Sequence, residues 1–313
     1  MKGLELSEAF YRAHGAPMLE KDFPHLLPYI TVGLFGAGSE CLGYDDEASH
    51  DHDFEPGFSI LLPDEGRVDR ETAFRLERAY AALPKEFMGY TRARLSPTGG
   101  ARHGVLRLSD FLLEKTGTPD GALTEKDFFF LPEQSLLEVT NGKVFHDGDG
   151  AFSRIRTRLS YLPESVRRKK LAGRLLLMGQ AGEYNYPRAI ARGDTAAAQL
   201  CIAEFVKNAL HSSLLLGKKY LPYYKWQFRA LRDLPRLSSI SETLEYLLSS
   251  PNNQTEAKKK TALIESVAEA FAVLLDEQAL SHKGNAPLEA HAYAVNDTIS
   301  DREIRNLHIL YGI

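Results

Sequence analysis

Hydrophobic and polar positions along this chain fall into two regimes. Up to about residue 150, short apolar runs alternate with glycine- and proline-rich breaks, whereas beyond it apolar residues recur every three or four positions. Short runs rich in β-branched and aromatic residues suit buried strands, and the second spacing suits one face of a helix. Residues 28–35 (PYITVGLF), 58–62 (FSILL) and 104–108 (GVLRL) are therefore strand candidates. Residues 135–145 (SLLEVTNGKVF) read as a further strand pair, a hairpin around Asn141-Gly142. Glu55-Pro56-Gly57, just ahead of Phe58, suggests a bulge or an edge strand. Helices are expected over residues 4–14, with Leu4, Phe10 and Tyr11 among the buried positions and Gly15 and Pro17 ending it. A second spans 68–83, opened by Asp69, with apolar positions Phe74, Leu76, Tyr80 and Leu83. A third lies around 111–115, behind a Ser109-Asp110 N-cap.

The second regime is more regular. Residues 165–180 form a basic-then-apolar helix whose Arg167, Arg168, Lys169 and Lys170 read as a solvated face. Residues 195–219 carry Leu200, Ala203, Val206, Leu210 and Leu214 as a core-facing stripe. Further helices are expected over 241–250 and 256–280, split by Pro251-Asn252-Asn253, and the tail's Ile304, Leu307, Ile309 and Leu310 should pack back on the body. Asp147-Gly148-Asp149-Gly150 marks the change of character. The expected fold class is α+β: residues 1–150 as a mixed sheet with helices, then 151–313 as a helical bundle.

Composition changes this picture little. With 313 residues, 43% of them hydrophobic and 26% charged, the chain has room for two domains with real cores. A net charge of −4 gives no sign of general nucleic-acid binding. Cys41 and Cys201 lie far apart, without metal-ligand spacing, and read as free thiols of a reducing compartment. The acidic residues of MKGLELSEAFYRAHG are unlike an export signal, and no run approaches the ~18 apolar residues of a membrane span. The expected location is cytoplasmic, with no membrane partner.

The candidate chemistry is concentrated in one stretch. The strand at 28–35 is followed by Gly36-Ala37-Gly38-Ser39, a tight turn whose N–H groups and Ser39 hydroxyl suit a phosphate. Ser49-His50-Asp51-His52-Asp53 comes next. If that segment is extended, Asp51 and Asp53 project from one face, a pair of hard oxygen ligands suited to Mg²⁺ with substrate phosphates. His50 and His52 would then face the other way, which argues against zinc.

Gly38-Ser39, nine intervening residues and Ser49-x-Asp51-x-Asp53 together resemble the signature of the DNA-polymerase-beta-type nucleotidyltransferases. Within them the pattern is most similar to the kanamycin (aminoglycoside) nucleotidyltransferases. The resemblance implies a Mg²⁺-dependent transfer of a nucleoside monophosphate, from ATP, to a hydroxyl of an acceptor: a small molecule, a protein or a tRNA. Gly38 and Ser39 would position the nucleoside triphosphate, and Asp51 and Asp53 would hold the metal. The superfamily places a third acid on a neighbouring strand. GVLRL has none, so Glu138 of the 135–145 segment is the candidate. In such relatives a bundle glutamate serves as base and a lysine reaches the phosphates, and Glu204 and Lys225 match by position. The nucleotide would lie between the two domains. The layout also resembles an uncharacterised bacterial group with the same two parts.

Two other readings start from the same residues. The missing acid in GVLRL suits a nucleotide-binding regulator with weakened catalysis. A partner-binding module would instead use the face of the bundle and leave Asp51 and Asp53 dispensable.

Overall fold

The computed structural model of the protein describes residues 1–50, 54–92 and 103–313, the side chains of Ala48 and His50 set aside. The chain divides into two compact units: residues 1–123 with 131–160, and residues 124–130 with 161–313. The first combines a sheet with helices and the second is helical, so the fold class is α+β.

The first unit starts with α1 (Gly3–Phe10) and α2 (Ala16–Asp22), followed by β1 (Thr31–Leu34) and α3 (Ser39–Leu42). Next come β2 (Ser59–Leu62), α4 (Arg70–Ala81), a small ribbon of β3 (Glu86–Phe87) and β4 (Tyr90–Thr91), β5 (Gly104–Arg107) and α5 (Leu108–Thr116). The segment α6 (Asp127–Phe130) goes to the second unit. Then α7 (Glu133–Thr140), β6 (Lys143–Asp147) and α8 (Ala151–Arg158) complete the first.

The four-stranded sheet has the order β5-β2-β1-β6. β1 is antiparallel to both neighbours, and β2 is parallel to β5. β2 is thus an inner strand, not the edge strand that Pro56 and Gly57 suggested. Its pairing with β1 runs unbroken from Thr31–Leu61 to Gly33–Ser59. The irregularity lies instead between β1 and β6, where Val32 faces His146 but Gly33 faces Val144, leaving Phe145 over. Gly33 belongs there because a Cβ would stand 2.5 Å from the Lys143 carbonyl.

Ile30, Val32, Ile60 and Leu62 bury themselves with Phe10, Leu19, Leu76 and Tyr80 of the helices. Tyr80 also supplies its hydroxyl as acceptor to the Phe58 N–H at 3.2 Å. Phe74, expected in this core, is 57% exposed. Leu76, Tyr80 and Leu83 recur at helical spacing, and Phe74 lies about 200° round the helix from Leu76.

Helical structure does not stop at Gly15 and Pro17. A π-turn over Tyr11–Gly15 joins α1 to α2, with the Ala16 N–H reaching back to the Tyr11 carbonyl. Pro17 then stands in the first turn of α2, where a missing N–H costs little. α5 starts at Leu108, directly after β5, so Ser109 and Asp110 fall inside its first turn and do not cap it. The expected hairpin at 135–145 is half wrong. Its first arm is α7, since Leu136 and Val139, both fully buried, follow the three-residue helical step and not strand alternation. Only the second arm, β6, is a strand.

The second unit contains α9 (Glu164–Gly179), α10 (Tyr186–Ala191), α11 (Thr195–Leu216), α12 (Gln227–Arg232), α13 (Ser241–Ser249), α14 (Gln254–Glu277), α15 (Leu288–Asp297) and α16 (Arg302–Asn306). α9 packs against α11 and α15. Its basic run is no solvated face: Arg167, Lys169 and Lys170 are buried. The Lys169 ammonium donates to Asn296 Oδ1 (2.8 Å) and to the carbonyls of Arg305 (3.1 Å) and Leu307 (2.6 Å). A buried ammonium is tolerated only with its donors satisfied, and here the C-terminal end of α16, whose carbonyls need donors, supplies two of the acceptors. On α11, counting back by fours from Val206 gives Ile202 and Ala198, both buried, whereas Leu200 is 73% exposed and Ala203 is also outside the stripe. The tail folds back, with Tyr311 set edge-on against Phe129 and Phe130.

Candidate functional site

The glycine-rich turn begins where inner strand β1 ends. Phe35 is anchored between Phe111 of α5 and Phe152 of α8, at ring separations of 5.5 and 4.8 Å. The next residues leave the sheet with Gly36 at φ +104° and Gly38 at φ +129°, a region that L side chains seldom adopt. Gly38 is the N-cap of α3, and no side chain caps that helix. Ser39 opens the helix half-buried, its hydroxyl without a hydrogen-bond partner among the described residues. Gly43 ends it in the left-handed region.

The turn is held from outside. Asn141 Oδ1 accepts the Gly36 N–H at 2.9 Å, and Asn141 Nδ2 donates to the Gly36 carbonyl at 2.8 Å. The Gly142 N–H bonds the Cys41 carbonyl at 2.9 Å. Gly142 is at φ +64°, and a Cβ there would collide with the Leu34 carbonyl. Arg156 steadies the far side, its Nη2 donating to the carbonyls of Thr140 (2.6 Å) and Asn141 (2.8 Å). The sequence pattern puts Asn141-Gly142 in a hairpin and gives no sign of the part Arg156 plays. The dipeptide was a visible signal, but its partner more than a hundred residues away was not.

Several acidic groups follow the turn in the chain. Glu40 is buried, with its carboxylate against Gly38, where a Cβ would collide with it. In the first turn of α3 such a charge favours the helix dipole. Asp45, 1% exposed, accepts the Gly3 N–H at 2.8 Å and lies 3.7 Å from the Lys2 ammonium. Ser49 exchanges hydrogen bonds with Asp46 in the 3-10 turn Glu47–His50, so the chain approaches Asp51 in a turn and not as a strand. Asp51 and Asp53 themselves lie outside the described residues.

Glu138 is not on a strand. It stands on α7, buried, with Lys115 Nζ at 2.7 Å and Gln134 Nε2 at 2.9 Å. Burial works against the Lys115 charge, but its hydrogen bonds to Glu114 and Glu138 outweigh it and raise the pKa above the usual lysine value. Among the described residues the strands of the four-stranded sheet carry one carboxylate, Asp147, which accepts from the Thr31 hydroxyl and the Ser153 N–H, both at 2.8 Å. No three described His, Cys, Asp or Glu residues are disposed to hold a metal ion.

In the second unit, Glu204 is half-buried on α11. It accepts from Asn208 Nδ2 at 2.8 Å, and Lys207 approaches at 3.4 Å. Asn208 is fully buried and takes an Arg174 Nη1 bond at 3.2 Å, so Glu204 ends a polar chain and is not an isolated surface acid. Lys225 is exposed in the 3-10 turn Tyr224–Trp226, its ammonium 5.1 Å from the Trp226 ring centroid. Neither Cys41 nor Cys201 forms a disulfide among the described residues. Among the described residues no helix is long and apolar enough to cross a membrane.

Residues 128–227 match a family described as a domain of unknown function, DUF4037. The matched segment contains Asn141, Glu138, Glu204 and Lys225, and it begins after Gly38, Ser39, Asp51 and Asp53. Among curated proteins none matches the chain. The likeness to nucleotidyltransferases rests on the sequence motif alone. Over residues 128–227 the chain is similar to this uncharacterised family.

Proposed function

We propose that the protein binds a nucleoside triphosphate with Mg²⁺ and transfers its nucleoside monophosphate to a hydroxyl acceptor, with ATP as the donor. The observation that carries this reading is the Gly36–Ser39 turn. It leaves an inner strand, carries no side chain at its two positive-φ glycines, and offers a Ser39 hydroxyl without a partner among the described residues, at a helix start that no described side chain caps. Those are features that accept phosphate oxygens.

The groups named by the sequence fit the metal unequally. Asp51 and Asp53 would hold Mg²⁺, whose charge would offset that developing on the phosphates. Glu138 does not fit, because its carboxylate is already engaged by Lys115 and Gln134 on a helix. In the transfer, the acceptor oxygen bonds to the α-phosphorus, the bond to pyrophosphate breaks, and the hydroxyl proton passes to a base. Glu204 remains the candidate base, and Lys225 would add charge at the phosphates. The acceptor is a small molecule, a protein or a tRNA.

A second reading is favoured by the scarcity of acids on the sheet. With Asp147 engaged by Thr31 and Ser153, and Glu138 on a helix, the four-stranded sheet offers no free third carboxylate among the described residues. A regulator that binds nucleotide without turning it over fits that arrangement.

Calorimetric titration with α,β-methylene ATP, with and without Mg²⁺, tests both readings in the wild type, Ser39→Ala and Asp51→Asn/Asp53→Asn. Binding that needs Mg²⁺ and is lost in the double variant supports the site. Pyrophosphate release from ATP with an acceptor present then separates transferase from regulator. Absence of binding by all four nucleoside triphosphates would overturn both.

A further inference from the structure

From the two-point bond between Asn141 and Gly36 we infer that Asn141 is the positioning residue that holds the Gly36–Ser39 turn in the shape that receives phosphate. The inference rests on the nucleotide reading above. Asn141 presents an acceptor to the Gly36 N–H and a donor to the Gly36 carbonyl, at 2.9 and 2.8 Å. That is the pair of bonds a neighbouring strand would make, supplied by one side chain just after β1 leaves the sheet. Beyond Gly36 the chain turns through Gly38 into α3, and the Gly142 N–H takes the Cys41 carbonyl at 2.9 Å. Adjacent residues of one dipeptide thus fasten both ends of the turn.

The fastening is itself braced. Arg156 bonds the carbonyls of Thr140 and Asn141, closing the C-terminal end of α7. Gly142 lets the dipeptide lie against the Leu34 backbone, since any Cβ would strike the Leu34 carbonyl. Gly36 and Gly38 have no side chains of their own to fix their dihedral angles, and glycine gives up more backbone freedom on ordering than any other residue. A turn that must meet phosphate oxygens with preset N–H groups needs that freedom removed beforehand. Asn141 is placed to do this without touching the ligand.

The test compares the full-length wild type with Asn141→Ala and Leu136→Ala. Leu136 is fully buried on the same helix, so its truncation destabilises α7 but spares both Gly36 bonds. Hydrogen exchange of the 36–41 amides and binding of Mg²⁺ with α,β-methylene ATP are measured where all three proteins are folded. Asn141→Ala is expected to speed Gly36 exchange and weaken binding, each by about tenfold, while Leu136→Ala lowers the melting temperature and moves neither. Asn141→Gln, which keeps the amide on a longer arm, applies the same test if the alanine variant does not fold. Unchanged Gly36 exchange, or faster exchange with unchanged affinity, would overturn the role. If the wild type binds no nucleotide, the phosphate-receiving role falls with the nucleotide reading, and the exchange data show separately whether Asn141 orders the turn.

Discussion

Lys115 and Glu138 form an ion pair at 2.7 Å, with side chains 15% and 11% exposed, linking α5 to α7. Removing Glu138 leaves the poorly hydrated Lys115 ammonium with Glu114 alone, an exposed partner at 2.7 Å. Glu138→Ala is expected to cost about 2 to 4 kcal/mol in urea unfolding, and Lys115→Met/Glu138→Leu should recover most of that loss. The same pair of variants separates structure from chemistry. A metal-ligating Glu138 would lose Mg²⁺-dependent binding at little cost in stability, the reverse of the expected outcome.

Lys169→Met should be among the most damaging substitutions in the second unit. It leaves Asn296 Oδ1 and the carbonyls of Arg305 and Leu307 without their shared donor. The expected cost is about 3 kcal/mol, read from the thermal or urea transition. Lys169→Arg should not rescue it, because a planar guanidinium cannot replace a compact ammonium at a site with no exposure.

His291 gives the second unit a pH dependence. It is fully buried, with Nδ1 2.9 Å from the Ser281 hydroxyl and Nε2 3.0 Å from the Gly284 carbonyl. The carbonyl can only accept, so Nε2 carries a proton. Burial lowers its pKa from the ordinary 6.5, backbone hydrogen bonds partly oppose this, and the Lys283 charge lowers it further. The unfolded chain thus binds the proton more tightly. The stability this provides is complete above about pH 6.5 and is lost as pH falls through the lower folded value. Urea midpoints taken from pH 8 to pH 5 should fall more steeply for the wild type than for His291→Gln.

The Glu164 carboxyl is held well below the usual carboxylate range. Hydrogen bonds from Arg167 outweigh the effect of burial and, with those from Arg168, lower its pKa to about 2. A depressed carboxylate favours the folded state above its unfolded pKa, and that contribution disappears as pH falls through about 2. Carboxyl carbon shifts in an NMR titration should show the Glu164 midpoint well below those of exposed glutamates. Arg167→Met should move it upward.

Local patterns carried much of this fold. The β-branched run around Val32 gave β1, Asp69 gave the start of α4, and the four-residue repeat from Val206 to Leu214 gave the buried face of α11. What local patterns missed depends on distant partners. Glu138 looked like a strand acid because a short apolar run fits a strand and a buried helix equally well. Lys169 looked solvated because nothing near it in sequence shows the carbonyls of Arg305 and Leu307 that receive it. At the candidate site the Gly-Ser turn could be read directly. Its fastening by Asn141 could not, because an Asn-Gly pair after an apolar run also signals a hairpin.

The position of β6 governs the order in which this unit can assemble. β1 occupies residues 31–34, yet one of its two partners arrives only with residues 143–147. A nascent chain that has not yet reached β6 leaves that side of β1 unpaired, an open ladder able to recruit another chain. Closing so long a loop also slows folding, because its entropy is lost before the contacts that reward it are made. Fragments ending before Lys143 should therefore aggregate through β1. Pairing of β1 with β6, more than formation of any single helix, should set the rate at which the first unit becomes native.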